Sequence, residues 1–275
     1  MSGFDLHTHS TFSDGTLEPE GVVELAAGRD LTGIALTDHD NTGGVERARA
    51  AAQGTGLTVL LGCELSAEHD GGPVHVLGYN FDPDEPAFAA KRAWIAEGRV
   101  GRARRMVERL RELGAPVELD RVRELAGSGA VGRPHIARAM VEAGVVDRVA
   151  DAFSQDWIGT GGRAYVLKDA VTPVEAVELI HGAGGVAVLA HPSVHAGASS
   201  VPEPVIRAMA TAGLDGLEVD HPDQPPPDRA RWRALAAELG LEPTGASDCH
   251  GALYGYRLGG ERTPDATVER LLARA

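Results

Sequence analysis

Short apolar runs alternate along this chain with longer stretches in which apolar residues recur at helical spacing. The short runs lie at 3–6, 33–37, 58–62, 74–79, 164–167, 186–190, 216–219 and 243–246. Runs of that length read as buried strands. The helical stretches between them include 19–29, 45–53, 173–183, 204–212 and 229–239. Alternating strands and helices predict an α/β fold around a largely parallel sheet, and this many units favour a barrel over a doubly wound open sheet.

Residues 83–160 break the alternation. A long charged helix is expected over 86–113, with shorter ones near 120–125, 134–142 and 146–154. Without strand-like runs, 83–160 reads as a helical insertion domain that divides a barrel into 1–82 and 161–275. The basic clusters Lys91-Arg92 and Arg102-Ala103-Arg104-Arg105 read as a solvated helix surface.

Composition narrows the partners. The 275 residues are 43% hydrophobic and 24% charged, as expected of a soluble globular chain with a sizeable core. The formal net charge of −14 argues against a protein that grips long nucleic acid through its backbone, while leaving room for a local basic pocket. Two cysteines, Cys63 and Cys249, give no disulfide framework and are expected to be small buried residues. The first residues lack the pattern of a signal peptide, and no apolar run is long enough to cross a bilayer. A cytoplasmic setting without membrane contact is the expectation.

The reactive residues fall at the ends of the strand-like runs. His7 and His9 follow the first run and Asp14 comes soon after. Asp38, His39 and Asp40 end the second, and Glu64 the third. His75 opens the fourth, His191 ends the run at 186–190, and Asp248 and His250 follow the last. In a β/α barrel the C-terminal strand ends share one face, so these side chains can converge there. Alternate residues of an extended segment project to one side, so His7 and His9 can reach a single ion, as can Asp248 and His250. Imidazole and carboxylate ligands suit zinc, manganese and iron. Singly, such residues are surface histidines or turn aspartates; at five or more strand ends, packing does not account for them.

His7-Thr8-His9, Thr37-Asp38-His39-Asp40, Gly62-Cys63-Glu64, Val74-His75-Val76-Leu77-Gly78-Tyr79, Ala190-His191-Pro192 and Ser247-Asp248-Cys249-His250-Gly251 closely resemble the polymerase and histidinol phosphatase (PHP) superfamily. The resemblance runs in order through nearly the whole chain. It implies a distorted (β/α)7 barrel carrying two or three divalent ions. Carried over by position, one ion would take His7, His9, Glu64 and Asp248. A second would share Glu64 with His75 and His191, and a third would take Asp14, His39 and His250. Gly132-Arg133-Pro134-His135 and Gly162-Arg163-Ala164-Tyr165-Val166 resemble the stand-alone PHP phosphoesterases of small nucleotides and short oligonucleotides. That likeness implies phosphate contacts from Arg133 and Lys168. Ser193-Val194-His195 stand where those enzymes often carry Gly-Arg-Tyr.

The resemblance and the residues together predict a small phosphorylated substrate, expected to be a nucleotide such as a nucleoside 3′,5′-bisphosphate or monophosphate. Two ions about 3.5–4 Å apart can acidify a shared water and deliver hydroxide to phosphorus. His39, His191, Asp248 and Arg133 are the catalytic candidates. Arg133, Lys168, His195 and His135 are the substrate-binding ones, with His195 and His135 the candidates to protonate the leaving oxygen. A histidinol-phosphate-type phosphatase, a 5′-3′ exonuclease on short oligonucleotides and a non-enzymatic metal-binding module are the alternatives. Asp38 and Asp40 are expected to orient histidines, and His69 and His181 to lie at the surface; His221, after a strand-like run, is a candidate border residue weighed below a role away from the site.

Overall fold

The computed structural model describes residues 2–70, 72–127, 131–167, 170–194 and 200–275. Seven strands form one sheet in chain order. They are β1 (Phe4–Thr8), β2 (Gly33–Leu36), β3 (Thr58–His69), β4 (Gly72–Tyr79), β5 (Val186–Leu189), β6 (Gly216–Asp220) and β7 (Glu242–Gly245). All neighbours run parallel except β4, which is antiparallel to both β3 and β5. The sheet nearly closes into a barrel. Beyond β7 the chain returns to β1, where the His9 N–H donates to the Cys249 carbonyl at 3.0 Å. Leu6, Ala35, Leu77, Tyr79, Val188 and Ala246 pack together across the curled sheet.

The helices on the barrel are α1 (Pro19–Ala27), α2 (Val45–Ala52), α7 (Pro173–Gly182), α8 (Glu203–Thr211), α9 (Pro226–Leu239) and α10 (Asp265–Leu272). Proline stands in the first turn of α1, α7, α8 and α9, where its missing N–H costs nothing. Between β4 and α7 lie α3 (Pro86–Glu112), α4 (Leu119–Ala126), α5 (Arg133–Glu142) and α6 (Val149–Ala152). These four helices enclose their own apolar core, including Met106, Leu110, Val122, Ile136, Met140 and Ile158.

Three expectations need correction. The run at 164–167 is no strand; Ala164 and Val166 pack into the α3–α6 core, and the Val166 carbonyl accepts from Arg102 Nε at 2.6 Å. A short apolar run is simply buried, and its periodicity does not say in what conformation. β3 runs well past residue 62, because Leu65 and Ala67 continue the buried face of a hairpin with β4. The last of the four helices spans only four residues, Val149–Ala152.

The reversal of β4 matters for the site. In a strand running against its neighbours, the beginning lies beside their ends. His75 therefore pairs with Ser66 of β3, and its carbonyl accepts from the Ala190 N–H just beyond β5 at 3.0 Å.

Candidate metal centre

Glu64 is the hub. Its Oε2 lies 3.1 Å from His7 Nε2, His9 Nε2 and His39 Nδ1 alike. Its Oε1 lies 2.7 Å from His75 Nδ1 and 3.2 Å from His191 Nε2. Asp248 Oδ1 closes one side at 3.4 Å from His7 Nε2 and 3.2 Å from His9 Nε2. On the other side, Asp14 Oδ1 is 3.2 Å from His250 Nε2, and Asp14 Oδ2 is 3.8 Å from His39 Nε2. The structure thus brings together all nine residues proposed from the sequence as metal-binding. His39 reaches two groups, with Nδ1 toward Glu64 and Nε2 toward Asp14.

The donor set fits divalent ions. Ligand atoms of His7, His9, Glu64 and Asp248 all lie within 4.8 Å of one another, as do those of His9, Asp14, His39 and His250. Ligand atoms about 2.0–2.2 Å from a shared ion stand about 3.0–3.5 Å apart, the spacing seen around Glu64 and Asp248. His7 Nε2, His9 Nε2, His39 Nδ1, Asp14 Oδ1 and Asp248 Oδ1 are buried and make no hydrogen bond among the described residues, although carboxylates and rings face each other closely. Buried polar atoms are normally paired, so a convergent set left open points to a cation as the partner.

Other buried groups hold the set in place. Glu218 Oε1 meets His7 Nδ1 at 3.1 Å and its Oε2 accepts from the His191 N–H at 2.8 Å, fixing two rings or their backbone at once. Asp38 accepts from the Ser10 N–H at 2.8 Å, Ser10 Oγ at 2.6 Å and Ser13 Oγ at 2.7 Å; Ser13 Oγ then meets His9 Nδ1 at 3.2 Å. Asp38 therefore acts on His9 through a serine, while Asp40 is engaged by Arg99 and the Ser66 N–H. Asp248 and Asp40 adopt φ of 48° and 52°, a costly conformation for residues with side chains. Gly251, just past His250, has φ 67°, and a Cβ there would lie 2.3 Å from Thr16 Oγ1, so the turn requires glycine. Asp38→Ala is expected to destabilise the protein by about 3 kcal/mol, since three buried donors lose one charged acceptor. Urea unfolding measures it, and a change below about 1 kcal/mol would remove Asp38 from this role.

Comparison with known proteins agrees with the geometry. The model of the PHP domain matches residues 5–116. The 3′,5′-nucleoside bisphosphate phosphatase of Chromobacterium violaceum is 36% identical over 258 residues, covering 94% of this chain and 90% of the relative. The 5′-3′ exoribonuclease Rnm of Escherichia coli is 34% identical over 268 residues, covering 97% and 91%. The chain belongs to the PHP family. A Bifidobacterium adolescentis structure assigned to the metal-dependent phosphoesterases superposes on this PHP chain with TM-score 0.93 at 37% identity, covering 100% of this chain and 96% of the other. This PHP protein is accordingly a metal-dependent phosphoesterase.

Charge in the PHP site is finely opposed. Burial works against ionisation of Glu64, Asp248 and Asp14, yet the surrounding histidines hold all three carboxyls well below their ordinary range. Burial likewise works against protonated His7 and His9. The carboxylates outweigh it, placing His7 well above its usual value and His9 at about 10. His39 goes the other way, to about 3, because burial prevails over Glu64 and Asp14. A cluster that retains protons on two buried imidazoles is one that favours positive charge.

A cavity of about 520 Å³ opens onto these PHP residues, within the range of ligand pockets. Asp14, His39, Glu64, His75, His191, Asp248 and His250 line it, together with Arg99, Arg102, Arg133 and Arg257. Arg133 lies over the rings of Phe153 and Tyr165 at 5.5 Å each. His135 is not among the lining residues; its Nδ1 accepts from the Gly132 N–H at 3.0 Å and caps its own helix. Lys168 and His195 lie outside the described residues. His221, fully buried, approaches Asp248 Oδ2 at 3.3 Å. His181 pairs with Asp215 at 2.8 Å, and both His181 and His69 are half-buried. Cys63 and Cys249 are buried. Sequence reading passed over Glu218, whose only signal is an acid inside the buried strand Gly-Leu-Glu-Val-Asp. Arg99, Tyr254 and Arg257 line the cavity without a local signal in the sequence, and Arg102, expected on a solvated helix surface, is instead buried and lines it too.

Proposed function

We propose that this PHP enzyme hydrolyses a phosphate ester of a small nucleotide, a nucleoside bisphosphate or monophosphate, using two or three ions of manganese, iron or zinc. The ions would be held by His7, His9, Glu64 and Asp248, by Glu64, His75 and His191, and by Asp14, His39 and His250. The observation that carries the substrate reading is the cavity itself. The residues proposed to hold metal share it with four guanidinium groups and with the aromatic rings of Phe153, Tyr165 and Tyr254. That combination suits a ligand with phosphate at one end and a flat base at the other.

When bound, the ions supply the Lewis acidity that acidifies water and polarises the phosphoryl oxygens. The chain's own residues do the rest. Glu64 joins two ligand sets through its separate oxygens. Arg133 offsets charge on the phosphate oxygens from a position close to the Phe153 and Tyr165 rings, which limits the freedom it loses on binding. The relatives named for bisphosphate nucleosides and for 5′-3′ RNA cleavage support a nucleotide substrate, and the acidic chain supports a short one.

The test is a panel of nucleoside bisphosphates, mononucleotides, 5′-phosphorylated dinucleotides, histidinol phosphate and long single-stranded RNA, each assayed with manganese at two salt concentrations. Small nucleotides should be turned over with weak salt dependence, because affinity falls steeply with salt only when many phosphates are contacted. Preferred hydrolysis of histidinol phosphate would overturn the reading. So would long RNA displacing a mononucleotide at physiological salt, in favour of a nuclease.

A further inference from the structure

Arg257 is a cavity residue whose hydrogen-bonding capacity is only partly spent. It follows the turn Gly251–Leu253, and its guanidinium carbon lies 5.6 Å from the centre of the Tyr254 ring. Tyr254 in turn packs edge-on against His250 at 5.4 Å. Nη1 of Arg257 meets Asp223 Oδ2 at 2.7 Å, but the Asp223 side chain is 54% exposed. An ion pair with so solvated a partner contributes little and exchanges readily. Nη2 makes one long bond of 3.3 Å to the Asp248 carbonyl and stands 3.9 Å from Asp248 Oδ2. Nε is buried and meets no acceptor among the described residues. The Nε–Nη2 edge, the side of arginine that grips an oxyanion with two parallel bonds, is thus nearly unused.

Position sharpens the point. The guanidinium stands beside a carboxylate of the proposed metal centre and lines the cavity into which that centre opens. Metals bound by Asp248 would draw on the carboxylate beside this guanidinium, leaving its charge to be met by an anion from the cavity. A phosphate ester is such an anion.

We propose that Arg257 is a substrate-binding residue, whose Nε–Nη2 edge takes the oxygens of the reacting phosphate while Tyr254 holds the plane of the guanidinium. This rests on the small-nucleotide reading only for the choice of substrate. The side chain turns from its light hold on Asp223 toward the phosphate, satisfying Nε, which is buried and meets no acceptor among the described residues.

The test uses the manganese-loaded protein and two probes, orthophosphate by calorimetry and a nucleotide by turnover. Arg257→Met should weaken orthophosphate binding by about tenfold or more and lower kcat/KM by about thirtyfold, with manganese content unchanged. Arg257→Lys should recover part of the loss and guards against a methionine variant that fails to fold. Asp223→Asn should leave phosphate affinity equal or tighter, since it releases the guanidinium. Unchanged orthophosphate affinity in Arg257→Met would overturn the proposal. So would loss of manganese in proportion to loss of affinity, or a weakening by Asp223→Asn as large as that of Arg257→Met. If the wild type turned over no nucleotide, the substrate reading would fail, and the orthophosphate comparison would still decide Arg257.

Discussion

Glu64→Gln should cost about a thousandfold or more in turnover, the largest loss expected of any single conservative substitution in this protein. The side chain keeps its size, so packing is nearly undisturbed. What changes is that an oxygen facing three histidine nitrogens at 3.1 Å, or one facing His75 at 2.7 Å, becomes an amide NH₂. An amide nitrogen is a donor without a lone pair to offer a metal, and only one of the two faces can keep an oxygen. Two of the proposed ligand sets share this residue, so both should weaken together. Metal content by elemental analysis and turnover of the same sample provide the check. A variant that binds its full complement of manganese and works within tenfold of wild type would show that Glu64 neutralises charge without joining the sets.

Much of this centre was legible in the sequence because strand ends in a barrel share one face, and the residues at issue flank short apolar runs. The spacing His7-x-His9 needed nothing beyond strand periodicity. His75 was harder, since it begins its run instead of ending it; only the antiparallel course of β4 explains why it arrives at the same rim. Glu218 escaped because the sequence shows an acid in a strand and not which histidine it meets. The cavity arginines escaped for another reason. Arg99 and Arg102 sit on a helix dense in arginine, and α3 turns one narrow face inward: Arg102 is buried and Arg99 is tied to Asp40 and Ser66, whereas Arg104 and Arg105 are exposed. Charge runs do not reveal which member faces a pocket until packing fixes the rotation of the helix.

Removing the metals should destabilise the protein and also reverse the way its stability responds to pH. At a free-ion concentration about a thousand times Kd, each bound ion contributes about 4 kcal/mol. For a domain of this size that corresponds to a fall in Tm on the order of 10 °C when a chelator strips even one tight site. The pH response follows from the histidines. In the stripped protein His9 has its pKa raised to about 10, against an ordinary value of 6.5, and His7 is raised as well. A raised folded-state pKa gives stability that is complete below the unfolded value and lost as pH climbs through the folded one. Stripped protein should therefore lose stability between about pH 6.5 and 10. His39, lowered to about 3, is neutral in the folded protein throughout that window and adds only a small opposite slope near pH 6.5, where the unfolded chain still takes up protons. With metal present the same imidazoles must be unprotonated to bind, so rising pH removes a competing proton and strengthens binding. The gap in Tm between loaded and stripped protein should widen as pH is raised from 6.5 to 9. Calorimetric melts at several pH values, with and without chelator, measure it directly. A gap that stayed constant would mean that His7 and His9 hold no protons for metal to displace, and the electrostatic account of the centre would fail.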